Sequence, residues 1–289
     1  MRRPLQGWLL VWITMLAACA TTAQPSGPPR VAVERTESEL QPLANDRYWR
    51  LAAEIRTLGD EHLWAGSYAR FDGTDSYHCL KLAPESGFVV GFDGARRDPR
   101  HAIALGRVRE ADGWIELVVE ARSGTSRLPE RLLPVHWGEW RCLLTRRDAV
   151  ELANTLNAGL ELRAPNAYLW RARARATAPS APELPRAAGV TRFASPVTAT
   201  VLGVTDRLMR DEHGAQHWQR HVELDFGTRD GAFVGMRLYS TLRDLPNVIV
   251  ELESVEPGRS QARALKLDVE EPLELGATLS SAPPTLTRS

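Results

Sequence analysis

His213, His217 and His221 recur every four residues, a spacing that aligns imidazoles along one face of a helix and can hold zinc. The residues around them pull against a helix. Gly214 interrupts the series, Asp211-Glu212-His213-Gly214 reads as a hairpin turn, and Trp218–Asp225 reads as a strand. On a strand, His217, Gln219, His221 and Glu223 share one face. Such a face is more often solvated than metal-bearing. The alternative is a metal site on His217 and His221, with His213, Asp211, Glu212 or Glu223 as further ligands. No glutamate follows His217, so the His-Glu-x-x-His arrangement of zinc hydrolases is absent.

The remaining chemistry-bearing groups have plainer readings. Asp72-Gly73-Thr74-Asp75 with nearby His78 supplies carboxylates and an imidazole. An Asp-Gly turn in water does not shift their proton affinities as acid–base catalysis requires. No Gly-x-Ser-x-Gly elbow occurs, and neither lysine, Lys81 or Lys266, has a serine three residues before it. A phosphate-cradling Gly-x-x-x-x-Gly-Lys is also absent. These observations assign no catalytic residue and no cofactor. Trp137 and Trp140, with His136 and Arg141 beside them, could form an aromatic platform for a glycan strand. Residues three apart on one strand point to opposite faces, which makes two packing residues near a bend the simpler expectation. Cys79 and Cys142 fall in strand-like segments of one domain, and a disulfide between them is the preferred reading over two buried inert thiols.

Periodicity supplies the elements that would position these groups. Tyr48, Leu51, Ala52, Ile55 and Leu58 predict a helix from Asp46, capped by Asn45 or Asp46 and ended by Gly59. Strands follow at Trp64–Arg70, Tyr77–Leu82, Gly87–Phe92, Ala102–Arg109 and Trp114–Ala121, punctuated by Asp72-Gly73, Asp93-Gly94 and Asp112-Gly113. Leu132–Trp140 and Cys142–Thr145 precede a second helix, Arg147–Ala158, and Asn166–Ala172 adds a strand. A proline- and alanine-rich stretch, 177–190, separates five more strands, Val197–Thr205, Trp218–Asp225, Ala232–Ser240, Asn247–Val255 and Ala262–Leu267. The fold class predicted is mainly β: a β-rich α+β domain with two helices over 46–176, then a small all-β barrel-like domain over 191–279 and a disordered tail over 280–289.

The charges balance at 36 Lys plus Arg against 36 Asp plus Glu, which argues against a nucleic-acid surface. Arg2 and Arg3 precede an apolar run from Leu9 to Leu16 and the small residues Ala17 and Ala18. These are the regions of a secretion signal, too short in apolar residues for a bilayer span of roughly 20. Residues 1–18 are therefore expected to be cleaved and 19–45 to form a flexible tether. Leu16-Ala17-Ala18-Cys19 resembles the lipobox of bacterial lipoproteins. The resemblance implies fatty chains on Cys19 and attachment to a membrane without spanning it. Ala20 after the cysteine, where inner-membrane lipoproteins carry aspartate, favours the outer membrane facing the periplasm.

Two further resemblances bear on architecture. Val222–Met236, with Gly227-Thr228-Arg229-Asp230-Gly231 inside it, resembles a strand, turn, strand unit of small β-barrels in cell-envelope proteins. Trp64-Ala65-Gly66-Ser67-Tyr68 and Pro134–Arg141 are similar to segments of exported Gram-negative proteins without an assigned role. The expectation is a lipid-anchored envelope protein that is not an enzyme and binds another envelope protein or a glycan. A metalloprotein or hydrolase using the histidine series is the alternative, and a small-ligand carrier with a pocket in the first domain is the third.

Overall fold

The computed structural model describes residues 32–71, 77–93, 101–124, 128–138, 140–160, 168–170, 181–210, 213–241, 248–266 and 273–283. The fold is mainly β, with 46% strand and two helices. β1 (Val33–Glu34) leads into α1 (Glu37–Leu58), followed by β2 (Gly66–Phe71), β3 (Tyr77–Ala83), β4 (Gly87–Asp93), β5 (His101–Ala111), β6 (Trp114–Arg122), β7 (Arg131–Trp137) and β8 (Trp140–Leu144). α2 (Arg146–Asn157) and β9 (Tyr168–Trp170) follow, then β10 (Thr198–Arg210), β11 (Gln216–Leu224), β12 (Arg237–Ser240), β13 (Ile249–Val255), β14 (Ser260–Lys266) and β15 (Thr278–Ser280).

The first sheet runs β1-β6-β5-β4-β3-β2-β9-β8-β7 and curls until β7 also meets β6, with Leu132 opposite Ile115. Its β5–β6 hairpin turns at Asp112-Gly113, where both residues take positive φ, 52° and 77°. That is the conformation an Asp-Gly pair adopts most readily in a two-residue hairpin. The concave side is filled by α1, whose Leu40, Ala44 and Leu51 are fully buried among Leu80, Leu82, Phe88 and Ile115.

α1 begins nine residues before the start that the sequence pattern predicts. Pro42 breaks the apolar pattern there and, as the sixth helical residue, forgoes one bond to the carbonyl four residues back, a loss that the packing of Leu40 and Ala44 on the first sheet offsets. The helix is started instead by Thr36, whose backbone N–H donates to Glu39 Oε2 at 2.9 Å. That bond holds the Glu39 carboxyl below its ordinary proton affinity. Residues 37–45 are accordingly helix rather than tether.

The second sheet closes as a ring, β10-β11-β14-β13-β12-β15. Val201, Val222, Leu224, Met236, Leu238, Val250, Leu252, Ala262 and Leu279 fill it. β15 is a sixth strand beyond the five expected, and its neighbour Ser281 is buried. Ser281 N–H donates to Val197 O at 2.9 Å, so the ordered fold runs past residue 280. β12 starts at Arg237, five residues after Ala232. Gly235 has φ 87°, and a Cβ there would lie 2.8 Å from Val150 Cγ1 of α2, so the chain turns where a strand was expected.

α2 is shared by both sheets. Thr145 Oγ1 accepts from Asp148 N–H at 3.2 Å, while Asp148 Oδ2 accepts from Thr145 N–H at 2.9 Å. Ala149 and Leu152 pack with Val135, Trp137 and Leu144 of the first sheet, and Ala153 joins the core of the second. Asn154 donates to Gly235 O at 2.9 Å and accepts from Arg237 N–H at 3.0 Å. The described residues form one compact unit. Residues 181–190, expected as part of a linker, lie against that unit: Ala188 is buried, and Trp114 Nε1 donates to Ala187 O at 3.0 Å.

Candidate functional site

The structure separates the histidines that the spacing groups. His213 lies exposed in the turn between β10 and β11, whereas His217 and His221 lie on β11. Four residues of strand put their Cα atoms about 13 Å apart, so they do not converge on one ion. A helix would have stacked them one turn apart; the cross-strand pairing of β11 with β10 overrides that period. His221 instead belongs to a ladder of polar and charged side chains across the ring. Its Nδ1 lies 3.1 Å from Glu253, Arg263 lies 3.0 Å from Glu251, and Arg237 spans Glu251 at 3.4 Å and Glu151 of α2 at 2.6 Å. Nε2 of His221 is buried with no partner among the described residues. No group of three or more metal-ligating side chains exists among the described residues. Asp211, Glu212, Cys19 and the Asp72–Asp75 loop lie outside the described residues.

The expected disulfide is not formed. Cys79 pairs across the sheet with Ala69, Ala69 with Leu169, and Leu169 with Cys142. Three strand spacings separate the two thiols by about 14 Å, twice the reach of a disulfide. Both cysteines are thiols. Burial pushes Cys142 up to about 12, so its reactive thiolate form is suppressed.

The tryptophan pair is likewise a packing feature. Trp137 and Trp140 are opposite partners across the β7–β8 hairpin and not residues of one strand, so they share a face. Their rings meet edge to face at 5.6 Å, Trp137 is buried, and both pack in the cluster beneath α2. Trp140 is half-buried at the edge of that cluster.

An exposed ribbon runs further than the sequence pattern predicts. β10 runs five residues past Thr205, and β11 starts two residues before Trp218. They pair from Thr205–His221 out to Arg210–Gln216. β14 accompanies β11 only over His221–Leu224, and β15 accompanies β10 only over Thr198–Thr200. The outer part therefore leaves the ring as a two-stranded ribbon with no further strand beside it among the described residues.

Alternation sorts the ribbon into two faces. One carries Asp206, Leu208 and Arg210 opposite Arg220, Trp218 and Gln216. On it, Trp218 is 71% and Leu208 50% exposed, a directly opposed pair with no core beneath it. Arg220 clamps Asp206 with two bonds, at 2.8 and 2.9 Å. The guanidinium's hydrogen bonds hold the Asp206 carboxyl below its usual range. The other face carries Arg207 and Met209 opposite Gln219 and His217. A two-stranded ribbon is marginal by itself in water. An indole and a leucine held out on one are the kind of anchors that interfaces bury.

The sequence signal for this ribbon lay in the near-mirror order Asp206-x-Leu208 and Trp218-x-Arg220 about the turn. The hairpin turn at Asp211–Gly214 is read from sequence, but the mixed residues on either side of it, Asp206–Arg210 and Ala215–His217, lack the alternation that would carry the two strands up to it. Comparison with known proteins supplies no further guide: no family model, no curated protein and no solved structure matches the chain.

Proposed function

We propose that the chain is a non-enzymatic cell-envelope lipoprotein, held by fatty chains on Cys19 at the outer membrane and facing the periplasm, which docks an envelope protein through the β10–β11 ribbon. The observation that carries the docking part is the exposed Trp218–Leu208 pair beyond the ring. Single exposed apolar residues are ordinary on any surface. A directly opposed aromatic and aliphatic pair, with strand edges on both sides that no other strand among the described residues covers, offers both burial and backbone hydrogen bonds to a partner. The lipobox residues Leu16–Cys19 support the anchor.

The anchor and the ribbon are tested apart. Intact mass of the exported protein is expected to show acyl chains at Cys19, and Cys19→Ser is expected to release it from membranes. An unacylated start, or equal membrane attachment of Cys19→Ser, overturns the anchor. Trp218→Ala in the full chain is expected to weaken association with its envelope partner by at least ~10-fold, as loss of an aromatic anchor does. Unchanged association, read by quantitative cross-linking in intact cells, overturns the role of the ribbon.

A further inference from the structure

We propose that the partner of the ribbon is a second copy of this chain, joined by antiparallel pairing of β10 with β10 and with Leu208 facing Leu208 across a two-fold axis. This rests on the docking reading above and names its occupant.

The two edges of the ribbon are not equivalent. From Gly203 to Arg210, β10 has no strand on the side away from β11 among the described residues, a longer open edge than the Gln216–Arg220 stretch of β11. The β10 edge also carries both signs of charge on one face, Asp206 and Arg210, whereas the corresponding face of β11 offers Gln216 and Arg220 and no acid. A strand that pairs with itself about a two-fold axis sets residues at equal distances from that axis opposite each other. With Leu208 on the axis, Asp206 of each copy faces Arg210 of the other. Asp206 is already clamped on its inner side by Arg220, so the row becomes Arg220, Asp206, Arg210 across three strands, with alternating sign. The central row becomes Trp218, Leu208, Leu208, Trp218, four exposed apolar side chains made contiguous.

Neighbouring registers fail on the same side chains. Centring on Arg207 sets two guanidiniums face to face, and centring on Met209 sets Leu208 opposite Arg210. A slip of half a step places Arg207 opposite Arg210, or brings the Asp206 face against the Met209 face. Like charges opposed across a sheet are destabilising, so one register is singled out. An edge of this length is expected to bury less than the ~1,200 Å² of a stable protein interface. Pairing is therefore reversible in dilute solution and is favoured where fatty chains confine the copies to one surface at high effective concentration.

The test uses the full chain in membranes of a Gram-negative host. Leu208→Cys is exposed to a mild thiol oxidant, with exposed Thr241→Cys as the comparison site. Leu208→Cys is expected to yield a disulfide-linked species of twice the chain's mass, and Thr241→Cys little of it. Adding Arg210→Glu, which sets a carboxylate opposite Asp206 twice over by symmetry, is expected to lower that yield about 5-fold. Both positions are exposed, and an unchanged unfolding midpoint verifies that each variant folds. A doubled species whose yield ignores Arg210→Glu overturns the proposed register. Linkage of Leu208→Cys to a different polypeptide overturns self-pairing while leaving the docking reading standing. Absence of any linked species overturns self-pairing, and the docking reading is then decided by the Trp218→Ala association measurement alone.

Discussion

The two sheets handle their strand edges differently. In the first, β6, β5, β4, β3, β2, β9, β8 and β7 return to β6, and α1 fills the hollow, with Leu40 and Leu51 fully buried. In the second, the ring closes over its base, but β10 and β11 outrun β14 and β15 and carry Leu208 and Trp218 into solvent. Closure removes edges only over the length that all strands share. The first sheet therefore concentrates stability and the second concentrates contact potential, although both are built from short antiparallel strands.

That contrast can be broken by substitution. The largest effect is expected at Leu51→Ala, which empties a fully buried position between α1 and the sheet and should cost about 3 kcal/mol in urea unfolding. A loss below about 1 kcal/mol would mean that α1 is not the filling of the first sheet. Next comes Asn154→Ala, which strips the paired bonds to Gly235 O and Arg237 N–H at the junction of α2 with the second sheet. Two backbone groups left unsatisfied should cost about 2 kcal/mol, and separate unfolding transitions for the two sheets, seen by calorimetry, would sharpen the view of α2 as their coupling. The smallest effect on stability is expected at Trp218→Ala, within about 0.5 kcal/mol because the indole packs on no core. A larger loss would make the ribbon a structural element and not a contact surface.

The strands with clean alternation and strong punctuation were legible from residues alone. β3, β4 and β6 begin where Tyr77, Gly87 and Trp114 predict, and the turn at Asp112-Gly113 follows from backbone chemistry carried by those two residues. Long-range pairing decided the rest. α1 extends through Pro42 because Leu40 and Ala44 have a sheet to pack against, and neither is informative without it. β15, only Thr278–Ser280, exists because β10 and β12 leave a gap between them. Its own composition says loop.

The candidate site was less legible than the fold for the same reason. Spacing groups His217 with His221 and Trp137 with Trp140, and a shared domain in an exported chain suggests Cys79 with Cys142. Each of those relations depends on which strands lie side by side. By itself the sequence determined the class of elements, since side-chain period and turn chemistry act within a few residues. Only the tertiary structure decided where strands end relative to their neighbours, because an edge is a property of two strands and is written in neither. The ribbon, and with it the exposed pairing of Leu208 and Trp218, belongs to that second kind of fact.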